Sequence, residues 1–169
     1  MSGGRNVKQA PSDVPSARGL RVAILYADFN PRVVQGLLQG AEEALAAMDA
    51  AEVRREKVPG AFELPLAAKA AAIAGFDAVV ALGAVIRGET DHYEHIAREA
   101  ASGLAAVARE TGVPIGFGVL TVADEAQAIA RSEPGPENKG AEAARAAVAM
   151  VHVLVRLRAT GSTSERRHG

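Results

Sequence analysis

Short apolar runs alternate along the chain with longer stretches in which apolar residues recur at helical spacing. Arg21 to Ala27 reads as a strand. Pro31 to Met48 reads as a helix opening on a proline, where the missing N–H costs nothing. Val53 to Val58 is a more polar strand, which places it toward a sheet edge. Phe62 to Ala74 follows as a helix in which Pro65 is tolerable only in the first turn. Ala78 to Ile86 is an almost purely apolar run and reads as the buried central strand. It ends in the glycine-punctuated turn Arg87-Gly88-Glu89-Thr90. Asp91 then looks like an N-cap, with Glu94 three residues later in a capping-box arrangement, so a long helix is expected from Asp91 to Thr111. Ile115 to Leu120 is a fourth strand and Glu125 to Arg131 a short helix. Ser132 to Glu137 breaks the chain with two prolines and a glycine, and a last helix runs from about Asn138 to Leu157.

Strand–helix alternation of this kind implies a parallel sheet covered on both faces by right-handed crossovers. The expected fold is α/β: a three-layer αβα sandwich with a four-stranded parallel sheet and about five helices, flavodoxin-like in class. One domain should span residues 19–158. Residues 1–18, rich in Gly, Ser and Pro, read as a flexible arm, and residues 159–169 as a polar tail. The helices are rich in alanine, as in Ala67-Ala68-Lys69-Ala70-Ala71-Ala72. Such small side chains suit subunit contacts as well as the core.

Composition narrows the partners more than the fold. Nineteen basic and twenty acidic residues give a net charge of −1, which supports neither nucleic acid nor a membrane surface as partner. With no cysteine there are no disulfides or thiolate metal sites, in keeping with a cytoplasmic protein. No apolar run approaches the ~20 residues that span a bilayer, and the N-terminus has no signal-peptide core.

The loops after the four strands should open on one rim, where ligands bind in open α/β sheets. Phe29 and Phe62 stand where a strand hands over to a loop or helix. Taken singly, each reads first as a plug of the core top; as a pair on the rim they could stack on a planar ring, with Asn30 and Glu63 bonding its edge. Gly88-Glu89-Thr90 leads into a helix N-terminus, with free N–H groups and about half a positive charge for an anion. It matches neither a P-loop nor a dinucleotide fingerprint. His92 occupies the first helical position. An imidazole there can accept and return a proton. His95, one turn on, reads as structural or solvent-facing. No ligand spacing argues for a metal.

Four stretches then converge in order and spacing: Val58-Pro59-Gly60-Ala61-Phe62-Glu63-Leu64-Pro65; Gly83-Ala84-Val85-Ile86-Arg87-Gly88-Glu89-Thr90-Asp91-His92-Tyr93; Phe117-Gly118-Val119-Leu120-Thr121 with Gln127-Ala128-Ile129-Ala130-Arg131; and Asn138-Lys139-Gly140-Ala141-Glu142-Ala143-Ala144. Over about residues 20–157 the chain resembles the 6,7-dimethyl-8-ribityllumazine synthase family. The resemblance implies a cofactor-free step of riboflavin biosynthesis. In it, 5-amino-6-(D-ribitylamino)uracil condenses with 3,4-dihydroxy-2-butanone 4-phosphate, releasing phosphate and two waters.

Carried over position by position, the resemblance makes Phe29 the stacking partner of the pyrimidine. Asn30 and the Gly60-Ala61-Phe62-Glu63 turn bind the ribityl chain or ring edge. Val85 and Ile86, beside Ala84, present backbone groups to the pyrimidine. Arg131 and backbone N–H groups around Glu89 and Thr90 hold the phosphate, with Lys139 also in the substrate-binding set. His92 is the acid/base. Phe117 and Arg131 enter from the neighbouring subunit, so the implied partner is a second copy of the chain in a homopentamer or an assembly of pentamers. The Ser132-Glu133-Pro134-Gly135-Pro136-Glu137 turn departs from the Gly- and Lys-containing turn frequent in the family, which leaves the assembly beyond the pentamer open. Ala84 stands where a hydroxyl residue is frequent. The rival readings are a non-catalytic flavin- or lumazine-binding or shell-forming homologue and, from fold alone, a nucleotide-binding module.

Overall fold

A computed structural model describes residues 14–164; the first thirteen residues of the expected arm and the last five of the expected tail lie outside the described residues. The elements are β1 (Arg21–Ala27), α1 (Pro31–Ala47), β2 (Glu52–Val58), a 3-10 turn (Ala61–Glu63) leading into α2 (Leu64–Ile73), β3 (Ala78–Ile86), α3 (His92–Thr111), β4 (Ile115–Val122), α4 (Glu125–Ser132) and α5 (Lys139–Ser164). All strand pairs are parallel, and the sheet order is β2-β1-β3-β4.

Packing follows from the hydrophobic pattern. Ala78 to Val85 of β3 are all buried, because helices cover both faces of the central strand. One face carries Val33 and Leu37 of α1, Ala128 of α4, and Ala144 and Val148 of α5 against Ile24, Val80 and Leu82. The other carries Leu64 and Ala68 of α2 and Leu104 of α3 against Leu25, Val79 and Ala81. β2 is exposed except at Val58, as its polar sequence predicts for an edge. Its charges pair outward, Arg54 with Glu56 at 2.9 Å and Arg55 with Glu42 at 3.0 Å; a charged edge discourages strand addition.

Small residues do their work inside the protomer at the α1–α5 contact. A Cβ on Gly140 would overlap the Leu37 carbonyl, and one on Gly40 the amide of Asn138. Asn138 is 2 % exposed. Its Nδ2 donates toward the carbonyls of Gly36, Ser132 and Glu133 at 3.0, 2.9 and 3.0 Å, while its Oδ1 accepts from the Ala141 N–H at 3.0 Å. One side chain thus ties the end of α4, the start of α5 and the middle of α1 together.

Three expectations need correction. Within the expected arm one residue is anchored: Ala17 is fully buried and its N–H donates to the Met48 carbonyl at 2.7 Å, while His152 Nε2 sits 2.5 Å from the Ser16 carbonyl. The last helix runs to Ser164, because no proline or left-handed glycine stops it after Leu157. The capping box at Asp91 does not form: Asp91 makes no side-chain cap bond, and the Glu94 carboxylate instead accepts the Tyr93 hydroxyl at 3.2 Å.

Candidate active site

The chain leaves β1 toward β2 on one side of the sheet and later returns to β3 on the other. The carboxyl ends of β1 and β3 therefore bound the crevice that such a reversal opens. A cavity of about 480 Å³ lies there, within the range of about 300–1,000 Å³ usual for small-molecule sites.

Each wall has a local cause. After Ala27, the Asp28 N–H donates to the Val58 carbonyl at 2.8 Å, extending the β1–β2 ladder by one bond. The backbone then turns at Asn30, which is left-handed at φ 50°, ψ 65°. Phe29, between them, faces the cavity at 59 % exposure. On the second loop, Pro59 and an extended Gly60 lead into the 3-10 turn, whose Glu63 N–H donates to the Gly60 carbonyl at 3.2 Å. Buried Ala61 and Leu64 anchor this turn, so Phe62 and Glu63 are left on the cavity side. Both phenylalanines are thus rim residues rather than core plugs, a correction to the reading of each taken singly. The Phe62 ring is likewise 59 % exposed.

The third wall is the end of β3. Ala84, Val85 and Ile86 line the cavity, and the Arg87 N–H donates to the Val122 carbonyl at 3.0 Å, which fixes where the strand stops. Gly88, Thr90 and His92 follow on the same wall, with His92 the first residue of α3. Asp91 gives no side-chain cap, and its main-chain carbonyl takes the Glu94 N–H at 3.1 Å, so the His92 and Tyr93 N–H groups are the ones at the start of α3 that face an anion.

Tyr93 and Ile96 complete this wall, three residues apart on one helix face. The Tyr93 phenol is pushed above its ordinary value, first by desolvation and then by its hydrogen bond to Glu94 and that carboxylate's charge; the Arg87 guanidinium opposes this and Asp91 adds to it. Arg87 lies 6.0 Å from the Tyr93 ring centroid. Tyr93 is therefore a neutral wall of the cavity at neutral pH. Its recruitment was legible in the helix-face spacing, although only its neighbour His92 stands out chemically.

The structure thus brings together Phe29, Gly60, Ala61, Phe62, Glu63, Ala84, Val85, Ile86, Thr90 and His92. Asn30 and Glu89 border the cavity in sequence without lining it. Asn30 instead donates from Nδ2 to the Ala84 carbonyl at 3.4 Å. Phe117, Arg131 and Lys139 lie elsewhere. Phe117 is opposite Ala81 within the sheet and 49 % exposed. Arg131 donates to the Gln127 carbonyl at 3.1 Å on α4, and Lys139 pairs with Glu142 at 2.8 Å. Asp124, on the fourth loop, is a helix cap: its carboxylate accepts the Gln127 N–H at 2.9 Å.

Among the described residues no Lys or Arg lines the cavity, and Glu63 is its one carboxylate. No group of three or more His, Cys, Asp or Glu is placed to hold a metal among the described residues. No helix among them is long and apolar enough to cross a membrane.

A family model described as 6,7-dimethyl-8-ribityllumazine synthase matches residues 19–155. The 6,7-dimethyl-8-ribityllumazine synthase of Kineococcus radiotolerans is 54% identical over 138 residues, covering 80% of this chain and 86% of that protein. The protein of the same name from Leifsonia xyli subsp. xyli is 52% identical over 143 residues, covering 83% and 89%. Among solved structures, a de novo designed Rossmann fold protein aligns with a TM-score of 0.39 at 20% identity, over 66% of this chain and 92% of that one.

Proposed function

The chain belongs to the 6,7-dimethyl-8-ribityllumazine synthase family, and on that premise we propose how its rim performs the family's reaction. The enzyme acts in riboflavin biosynthesis, condensing 5-amino-6-(D-ribitylamino)uracil with 3,4-dihydroxy-2-butanone 4-phosphate to 6,7-dimethyl-8-ribityllumazine. An amine of the uracil attacks the ketone and loses water to give an imine. Phosphate leaves by elimination, and the ribitylamino nitrogen closes the ring with loss of the second water. These steps need two substrates held side by side, an anion site and one group that moves protons.

The reading rests on a single observation: an aromatic ring, a carboxylate turn, a strand end and a helix-start histidine share one cavity of about 480 Å³. In this proposal Phe29 stacks on the pyrimidine, and Glu63 with the Gly60–Phe62 turn bonds the ribityl hydroxyls. The backbone of Ala84, Val85 and Ile86 reads the ring edge. The Glu89–Thr90 turn and the open start of α3 receive the phosphate, and His92 takes and returns the protons of imine formation and elimination.

Among the described residues of one protomer, the cavity wall offers the phosphate no Lys or Arg side chain. We therefore assign that charge to Arg131 of a neighbouring copy, with the exposed Phe117 closing the aromatic side and Lys139 close to the same junction. The functional unit is then more than one copy, in the homopentamer or assembly of pentamers that the family resemblance implies, and we place it in the cytoplasm.

Mixing the two substrates with the protein tests the reaction, read as lumazine absorbance; no lumazine above the uncatalysed background would overturn it. Arg131→Ser tests the assignment of charge. It should raise the KM for the butanone phosphate about tenfold or more while leaving the KM for the uracil within about twofold. Equal effects on both constants would remove Arg131 from the phosphate site.

A further inference from the structure

We infer that Asn30 is a positioning residue, whose amide, bound to the Ala84 carbonyl beyond the paired stretch of β1 and β3, holds the turn that presents Phe29 to the cavity. The inference rests on the stacking role proposed for Phe29 and replaces a direct substrate contact for Asn30 with an indirect one.

Four observations carry it. Asn30 has a left-handed backbone, which few residues other than glycine adopt and which asparagine tolerates. It stands at the N-cap of α1, where asparagine ordinarily spends its side chain on a helix N–H, yet it makes no such bond. The amide has been drawn the other way, to Ala84. The paired register of β1 and β3 ends at Tyr26 opposite Leu82, so the Ala84 carbonyl lies two residues past it. The Asn30 amide supplies the bond that a continuing strand would have made.

The geometry links two walls of the site. Phe29 is carried by the residue before Asn30, and the ring-reading edge Ala84–Ile86 begins at the carbonyl that Asn30 binds. Asn30 itself is half-buried and does not line the cavity. Its main-chain carbonyl also accepts the Val34 N–H at 3.1 Å, so α1 and the Phe29 turn start from the same residue.

A double-mutant cycle tests this. Asn30→Gly keeps the left-handed backbone and removes the amide. It should raise the KM for 5-amino-6-(D-ribitylamino)uracil about three- to tenfold while leaving that for the butanone phosphate within about twofold. In a Phe29→Ala background the same change should add less than about twofold, because the ring that it positions is gone. Asn30→Asp, which keeps the shape but presents a carboxylate to a carbonyl, should reproduce both results. A full multiplicative effect of Asn30→Gly on top of Phe29→Ala would show a direct substrate contact and overturn the inference. So would an unchanged uracil KM in Asn30→Gly alone. Phe29→Ala with an unchanged uracil KM is a separate outcome: it would overturn the stacking role itself.

Discussion

Asn138→Ala should destabilise the protein by about 2–4 kcal/mol. The side chain is nearly solvent-free and serves four backbone groups: the carbonyls of Gly36, Ser132 and Glu133, and the N–H of Ala141. Loss of the cap on α5 costs about 1 kcal/mol, and leaving the Ser132 carbonyl, whose bond to the amide is buried, without a partner costs about 1–3 kcal/mol. Water cannot easily replace the amide, since Gly40 packs directly against it. Denaturant unfolding of the variant measures the loss, and a change below about 1 kcal/mol would show that these bonds contribute little. The same substitution should reach function. Arg131 precedes Ser132, whose carbonyl Asn138 holds, so under the proposed assignment of Arg131 to the phosphate a loosened α4 end would weaken phosphate binding in whatever molecules stay folded.

His92→Ala should slow turnover by about 10²- to 10⁴-fold at most, the range a positioned acid/base supplies. Under the proposed mechanism the loss is bounded because the imidazole shares the work. Holding two substrates in reacting geometry can lower a barrier by about 7–11 kcal/mol, and that advantage belongs to the cavity walls rather than to His92. The variant should therefore remain a measurable catalyst with nearly unaltered KM values. Single-turnover kinetics at saturating substrates make the comparison; unchanged turnover would take His92 out of the mechanism.

Much of this site could be read along the chain, and the parts that could not share a cause. The apolar run ending at Ile86 and the helix beginning at His92 are local patterns, and both stand where expected. The polar character of Val53 to Val58 marked the edge strand for the same reason. The outward turn of Phe29 depends on the left-handed backbone of Asn30, which its identity permits but does not compel. The failed capping box shows two local preferences in competition: Glu94 is claimed by the Tyr93 hydroxyl rather than by the helix start. Asn138 reads as an ordinary helix start until Gly36, a hundred residues away in sequence, is brought beside it. The continuation of α5 past Leu157 goes against weak helix formers such as Thr160 and Gly161, and so could not be read from propensity.

The central claim, a site assembled from two copies of the chain, is tested most directly by complementation. His92→Ala and Arg131→Ser chains, differently tagged and co-expressed, would be purified on both tags and assayed for lumazine formation at limiting butanone phosphate. A shared site predicts that random mixing restores intact His92–Arg131 pairs at about a quarter of the interfaces, with activity well above either variant alone. Mixed assemblies no more active than the average of the two separate variants would contradict it.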